Sequence, residues 1–344
     1  MEKFILSIIV PTRNRPQTLK FALESIKMKL SIINYELIIA SNGESLEADL
    51  LNIPVELLQC AKIVRSETRL SMGENWRYGF GFASGKWVHV MGDDDVVSLR
   101  NPQKLLEILS RDDLNGIVLR YGTFKWRIDA EEMYIQEFFW QPEETLEVQK
   151  IESNLKILDS WEELHPGAYP NATGGSFITR EYLCDLERKG ILFSAVSPDW
   201  FTGAYFAFSN SEYLKLDLLW ASIGAHPESS IFQMKYPKSA ISQKEAKVQR
   251  YKIHKNLCSL DNTFPTTWLI RLDSIIRARE SLGLDTSISE YRLIKNALDT
   301  TPRYVHKVGF KLMTDKNSRI PITVLLMIPA LTKSLLKRMI LPRI

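Results

Sequence analysis

The sequence of 344 residues has few cysteines, no long apolar run and no glycine-rich loop after its first predicted strand. Its three cysteines, Cys60, Cys184 and Cys258, are far apart and match no metal-ligand spacing. This argues against a disulfide framework or a zinc site and favours a reducing compartment. The N-terminal apolar run, residues 4–10, is too short to span a membrane and predicts a buried strand. Residues 11–16 contain no glycine, which argues against the phosphate loops of kinases and dehydrogenases.

A strongly basic C-terminal segment lies within a nearly neutral chain. The formal net charge is +3, but residues 303–344 contain nine Lys or Arg and one Asp, a balance of +8. The preceding 302 residues therefore carry −5. This asymmetry indicates a negatively charged partner for the tail alone, either a membrane surface or a polyanion.

Apolar runs and amphipathic segments alternate through the first third of the chain. Strands are predicted at residues 4–10, 36–40, 62–65, 86–91 and 116–121, and helices at 16–29, 74–83 and 103–110. Continuous apolar strands that alternate with helices are typical of a mainly parallel sheet covered on both faces. The expected fold class is therefore α/β with a doubly wound sheet.

The pattern loosens after residue 122. The aromatic-rich residues 123–140 predict antiparallel strands. Further elements are predicted as helices at 180–189, 200–209, 268–281 and 287–298, and as a strand at 213–220. We expect a sheet domain over residues 1–235 and a mostly helical extension over residues 236–344 that ends in the basic, apolar tail.

Polar clusters follow three of the predicted strands, at residues 11–15, 41–43 and 92–95. In open parallel sheets, ligands bind beyond the carboxyl ends of the strands. Three consecutive carboxylates, Asp93, Asp94 and Asp95, repel one another and need a compensating cation. Oxygen ligands suit Mg²⁺ or Mn²⁺, which proteins often hold with one or two carboxylates and substrate phosphates. The alternative is a solvated acidic turn that caps the following helix.

These clusters resemble a known family. Residues 7–15 (SIIVPTRNR), 36–43 (ELIIASNG) and 83–95 (ASGKWVHVMGDDD), together with Asn75, are similar to inverting family 2 glycosyltransferases of the GT-A fold. The likeness covers about the first hundred residues and continues more weakly, through residues 174–180 and 197–200, to about residue 226. It implies a GT-A-type sheet and transfer of a sugar from a nucleotide-sugar donor.

The resemblance also implies roles for individual residues. Asp95 matches the metal ligand that bridges the diphosphate, Asp94 matches the ribose-side carboxylate, and Asp93 is implied in both roles. His226 matches the region of a third metal ligand, although a lone histidine before a proline is more often a loop or core residue. The implied nucleotide-binding residues are Pro11, Thr12, Arg13, Asn14, Ser41, Asn42, Asn75, Asp93 and Asp94. The family often has Asp where this chain has Ser41, which leaves the identity of the base open.

Asp199 is the candidate catalytic base. Inverting transfer is a single in-line displacement at the anomeric carbon, so one carboxylate must accept the proton of the acceptor hydroxyl. Asp199 matches the family's base-bearing segment, but Pro198 stands where the family often has an acidic residue. The competing interpretation is an ordinary helix start, with Ser197 as N-cap and Pro198 in the first position.

The tail suggests a location for the protein. Residues 320–331 are apolar except for one threonine but too short to span a membrane, and residues 334–341 combine leucines with Lys and Arg. This composition is typical of an in-plane membrane helix, and the alternatives are packing on the body or an oligomer contact. We expect a cytoplasmic protein at the inner face of the membrane, acting on a glycan or lipid-linked acceptor. No nucleic-acid-binding motif accompanies the charges.

The leading hypothesis is therefore an inverting glycosyltransferase that uses Mn²⁺ or Mg²⁺. A metal-dependent nucleotidyltransferase is the first alternative, but it would need a glycine-rich loop after the first strand. A non-catalytic module that binds sugar nucleotides or glycans is the second, and it would tolerate a change at Asp199.

Overall fold

The computed structural model describes residues 4–128, 133–140, 148–151, 168–195, 197–209, 211–225 and 266–287. Several predicted features lie outside the described residues: His226, Cys258, the domain boundary at residue 235 and the basic tail. Of the predicted helix at 287–298, only Ser287 is described. Among the described helices, none combines the length and apolar character that a bilayer crossing requires.

The strands of the described residues are β1 (Leu6–Thr12), β2 (Tyr35–Ser41), β3 (Ala61–Arg65), β4 (Trp87–Val90), β5 (Val96–Val97), β6 (Gly116–Ile128), β7 (Met133–Trp140), β8 (Val148–Ile151), β9 (Ser176–Thr179) and β10 (Tyr213–Ala225). The helices are α1 (Pro16–Lys29), α2 (Leu46–Leu50), α3 (Val55–Leu58), α4 (Met72–Phe80), α5 (Pro102–Leu109), α6 (Arg180–Arg188), α7 (Pro198–Phe208) and α8 (Thr266–Ser281).

The described strands form one mixed sheet. Its main path runs β3-β2-β1-β4-β9-β6-β10-β5, with β7 beside β6 and β8 beside β10. The pairs among β1, β2, β3 and β4 are parallel, as is the pair of β6 and β10, whereas β9 and β5 run antiparallel to their neighbours. The predicted α/β class with a mainly parallel sheet is confirmed.

Helices cover both faces of the sheet, because successive apolar residues of a strand point to opposite faces and both faces are therefore apolar. On one face, Ile9 and Val90 pack with residues of α4, α6, α7 and α8. On the other face, Ile8 and Val10 pack with residues of α1 and α5. Helix α8 comes from the predicted C-terminal extension, yet its Ile275 belongs to the same buried cluster as α7.

Most predicted elements differ from the structure by one to three residues at an end, and strands β6 and β10 extend further than predicted. Helix α4 begins at Met72 instead of residue 74, because Ser71 and Glu74 form a capping box in which each side chain accepts a hydrogen bond from the other residue's backbone N–H. Strand β6 continues to Ile128, well past the predicted end at residue 121, because it pairs with β10 on one side and β7 on the other. These longer strands extend the sheet at the edge where β1 and β4 stop.

A histidine lies in the centre of the sheet with a fixed tautomer. His89 on β4 is 1% exposed and contacts the rings of Phe177 and Trp220. The indole Nε1 of Trp220 donates to His89 Nε2 at 3.0 Å, so the imidazole proton is on Nδ1 and is donated to the carbonyl of Ser176 at 2.8 Å. Burial lowers the pKa of His89 to about 4. Protonation would break the hydrogen bond from Trp220.

This histidine predicts a loss of stability in mild acid. Above pH 6.5, His89 is neutral in both the folded and the unfolded chain. Below pH 6.5 it is protonated in the unfolded chain, whereas in the folded chain it stays neutral down to about pH 4. The stability contribution is therefore complete at pH 7.5 and falls by about 2 kcal/mol on going to pH 5. In His89→Gln, the amide can keep both hydrogen bonds without titrating. Urea unfolding at pH 7.5 and 5.0 should show a smaller loss for this variant, and equal losses would contradict the prediction.

Candidate active site

The carboxyl ends of the parallel strands meet at one edge of the sheet. Thr12 at the end of β1 pairs with Ser41 at the end of β2, and Ser41 pairs with Arg65 at the end of β3. The acidic turn, residues 92–95, follows β4 directly. The projecting parts of β6 and β10 lie beyond it. The structure thus brings together the three polar clusters that the sequence indicated.

Asp93 is the buried centre of this edge. It is fully buried, accepts a hydrogen bond from Thr12 Oγ1 at 2.7 Å and forms an ion pair with Arg15. Burial raises the pKa of Asp93 to about 6, against the opposing effect of Arg15. Burial also disfavours the charge of Arg15, but Asp93 and Asp94 outweigh it and raise the pKa of the guanidinium. Asp93 is therefore already neutralised by the protein, which favours a structural role over contact with a ligand.

Asp94 and Asp95 are arranged differently. Asp94 Oδ2 accepts from Arg15 Nη1 at 3.0 Å, which leaves Oδ1 on the other side of the carboxylate. Asp95 is held by two backbone N–H groups, from Gly224 to Oδ1 at 2.9 Å and from Gly92 to Oδ2 at 3.1 Å. Burial, and then the charge of Asp94, raise the pKa of Asp95 well above its usual range. These two carboxylates carry the charge that Arg15 does not balance.

The donor set at Gly92 fits a divalent cation. A Cβ at Gly92 would lie 2.9 Å from both Asp94 Oδ1 and Asp95 Oδ2, so the two oxygens face the same space over a residue without a side chain. Three carboxylates and one guanidinium leave a charge of −2, which matches Mg²⁺ or Mn²⁺. No group of three or more potential ligands is arranged around a metal position in the described part of the chain. Two carboxylates completed by substrate phosphates are a usual arrangement for Mg²⁺.

Several predicted nucleotide-binding residues build the edge itself. Ser41 is 1% exposed; its hydroxyl donates to Asp49 Oδ2 at 2.6 Å and accepts from Arg65 Nη1 at 2.9 Å. Asn42 uses both ends of its amide on the backbone of Leu70, at 2.9 and 3.0 Å. Asn75 is 3% exposed and donates to the carbonyl of Ala40 at 3.0 Å. These contacts fix the loops that would surround a ligand.

Asp49 is a functional candidate that sequence reasoning missed. It is fully buried and accepts hydrogen bonds from the backbone N–H groups of Asn14 and Gly43 as well as from Ser41. It thereby joins the loops that follow β1 and β2. The residue lies in the short helix α2, which has no apolar periodicity, so the sequence carried no local signal for it.

Arginines gather beside this network. Burial, followed by the charges of Arg69 and Arg15, lowers the pKa of Arg13. The two hydrogen bonds between Asn42 and Leu70 hold the segment next to Arg69 at the sheet edge. Pro11 is the penultimate residue of β1, and Asn14 in the loop that follows has a positive φ of 54° and accepts a hydrogen bond from the N–H of Glu44. Arg13, Arg15 and Arg69 thus lie close enough to one another at this edge for their charges to interact.

Asp199 lies in the first turn of α7 at the same edge. Ser197 is the N-cap as predicted, but its hydroxyl makes no cap hydrogen bond and donates instead to Asp199 Oδ1 at 2.7 Å. Burial raises the pKa of Asp199. Burial also raises the pKa of Tyr121 on β6, and the negative charge of Asp199 adds to this effect. Tyr121 lies against Gly175, and Ile223 on β10 lies against Gly174. Since Gly224 follows Ile223 and binds Asp95, these contacts connect the two carboxylates along the edge.

The chain is similar to several solved structures and, over part of its length, to one family. A comparison with curated proteins gave no significant match. Similar solved structures include S. aureus TarS, at 15% identity and a TM-score of 0.43, covering 91% of this chain and 49% of that chain. TarS 1–349 in complex with UDP has 12% identity and a TM-score of 0.46, covering 89% of this chain and 87% of that chain. This chain thus spans about half the length of the longer TarS chain. Residues 7–161 match the family described as "Glycosyl transferase family 2".

The match begins in β1 and includes all three polar clusters at the strand ends. It extends beyond β7 to residue 161, which is past the acidic turn but short of Asp199. This match over residues 7–161 confirms the resemblance to family 2 glycosyltransferases that the sequence indicated.

Proposed function

We propose that this chain transfers a sugar, with inversion, from a nucleotide-sugar donor to an acceptor hydroxyl, assisted by Mn²⁺ or Mg²⁺. The observation that carries the proposal is the convergence of Asp94 Oδ1 and Asp95 Oδ2 over Gly92, with Asp199 near enough to Tyr121 of β6 for its charge to act on that residue. Asp94 and Asp95 would hold the metal. When bound, the metal stabilises the negative charge that develops on the leaving diphosphate.

The protein's own groups divide the remaining tasks. Arg13 and Arg69 supply positive charge for the diphosphate, and the loops joined by Asp49 surround the nucleoside. Arg15 is shared by Asp93 and Asp94, so the attraction for a cation would come from Asp94 Oδ1 and from Asp95. Pro11, Thr12, Asn14 and Asn75 support these loops from β1 and α4.

Asp199 has the properties of a general base. The acceptor oxygen forms a bond to the anomeric carbon while the bond from that carbon to the diphosphate oxygen breaks, and its electron pair leaves with the diphosphate. The hydroxyl proton passes to Asp199. Because burial raises the pKa of Asp199, its carboxylate is a stronger base than an exposed aspartate. The hydrogen bond from Ser197 orients one oxygen of this carboxylate.

Asp199→Asn should remove this base with little change in shape. We expect turnover to fall by roughly 10²–10⁴-fold, since proton transfer contributes about that much, while donor binding is retained. The measurement is product formation from UDP-, GDP- and dTDP-sugars beside donor affinity by calorimetry. Asp185→Asn, which changes an exposed aspartate on α6 paired with Lys189, is the matched control and should be fully active. Near-normal turnover of Asp199→Asn would exclude the residue from the mechanism.

Asp95→Asn tests the proposed metal site. The amide oxygen can still accept a backbone hydrogen bond, but the loss of a ligand charge should weaken Mn²⁺ binding by at least roughly 10-fold, the lower end of what even outer-shell partners contribute. Electron paramagnetic resonance of free Mn²⁺ measures this directly. Asp112→Asn removes an exposed carboxylate paired with Lys86 and should bind like the wild type. Unchanged transfer by the wild type in excess EDTA would contradict metal assistance.

The basic tail suggests the site of action. Residues 303–344 carry a charge of +8 with apolar stretches between the cations, so we propose that they hold the enzyme at an anionic, cytoplasmic membrane face near a glycan or lipid-linked acceptor. A chain truncated after Arg319 should then lose co-sedimentation with phosphatidylserine vesicles, while the full chain loses it only at high salt. Equal sedimentation of the two chains would show that the tail is not the anchor.

A further inference from the structure

The acidic turn is held from outside by the two longest strands. β6 and β10 are each 13 residues long and pair in parallel, with Gly224 opposite Phe124. Trp126 follows two residues after Phe124, and its buried indole Nε1 donates to the backbone carbonyl of Asp94 at 2.7 Å. Gly224 donates its N–H to Asp95 Oδ1 at 2.9 Å. One strand therefore binds the main chain of Asp94 and the other the side chain of Asp95.

The fit around these two bonds is tight. A Cβ at Gly224 would collide with both the carbonyl oxygen of Asp94 and the indole nitrogen of Trp126. The indole ring packs edge-on against Phe124, with centroids 5.0 Å apart, and against Phe21 of α1, at 5.3 Å. Helix α1 begins directly after Arg15, the partner of Asp93 and Asp94. Trp126 therefore spans from the helix that presents Arg15 to the turn that presents the carboxylates.

We propose that Trp126 is a positioning residue for the acidic turn: its indole N–H sets the orientation of the Asp94–Asp95 backbone, so that the two carboxylates converge over Gly92. This inference rests on the proposed metal site. A side chain two strands away would then determine metal affinity without touching the metal. Partners that orient the ligands of a metal typically change its affinity by roughly 10- to 100-fold.

Trp126→Phe removes the hydrogen bond and keeps an aromatic ring. The chain offers a close control, because Trp87 is also fully buried and its Nε1 also donates to a backbone carbonyl at 2.7 Å, that of Leu109. Trp87 lies at the other end of β4, away from the acidic turn. Both substitutions should lower the free energy of unfolding by a similar amount. A difference in metal affinity between the two variants would therefore report a positioning role of Trp126.

The experiment is titration of each full-length variant with Mn²⁺ alone, read by electron paramagnetic resonance, below the unfolding temperature measured by circular dichroism. We expect the Mn²⁺ dissociation constant to rise about 10-fold in Trp126→Phe and to stay at the wild-type value in Trp87→Phe. Gly224→Ala, which would displace the carbonyl of Asp94 from the β10 side, should also weaken binding and serves if Trp126→Phe does not fold.

Two other results would overturn the proposal. Wild-type affinity in Trp126→Phe and in Gly224→Ala, or equal weakening in Trp126→Phe and Trp87→Phe, would show that the indole has only a structural role. Absence of Mn²⁺ binding by the wild type, with Asp95→Asn indistinguishable from it, would instead refute the metal site on which the proposal rests. The two failures are therefore distinguishable.

Discussion

The arrangement of this edge depends on the placement of three consecutive carboxylates in a nearly solvent-free turn. Burying an uncompensated carboxylate is unfavourable, so each one needs a donor or a cation. Asp93 obtains Arg15 and Thr12, and Asp95 obtains two backbone N–H groups. Asp94 shares Arg15 and keeps one oxygen beside Asp95. The three carboxylates thus share one guanidinium, and the proposed metal site rests on this arrangement.

The same edge is built in two layers. The inner layer, from β1, β2 and β3, is tied together by Asp49, Ser41 and Arg65 and is more basic where Arg13 approaches. The outer layer, from β6 and β10, holds the acidic turn through backbone groups and one indole. The basic groups of the edge therefore lie in the inner layer, and the acidic turn is held by the outer layer.

Much of the fold followed from the sequence because its signals are local. The apolar run of β1 and the start of α1 at Pro16 each depend on neighbours within a few residues, and both are observed. The acidic turn was found for the same reason. The partners of that turn were not found, because Arg15, Trp126 and Gly224 reach it from distant points in the chain.

The predicted ligand residues show the same limit. Ser41 and Asn42 were assigned to the nucleotide from the family resemblance, which does not determine the hydrogen bonds that a side chain makes within this chain. The hydroxyl of Ser41 is used by Asp49, a residue with no signal in its own segment. Ser197 was placed correctly as an N-cap, but its bond to Asp199 depends on a rotamer that no sequence pattern specifies.

The packing of α8 on α7 has a consequence for dividing the protein. Leu272, Ile275 and Ile276 are at most 1% exposed and share a core with Phe201 and Ala204 of α7, the helix that carries Asp199 at its start. Ending the chain after β10 would remove α8 and expose the apolar surface of α7, the helix that carries the proposed base, to water. A shortened chain that is to keep α7 folded must therefore retain α8 as well, although the two helices are far apart in the sequence.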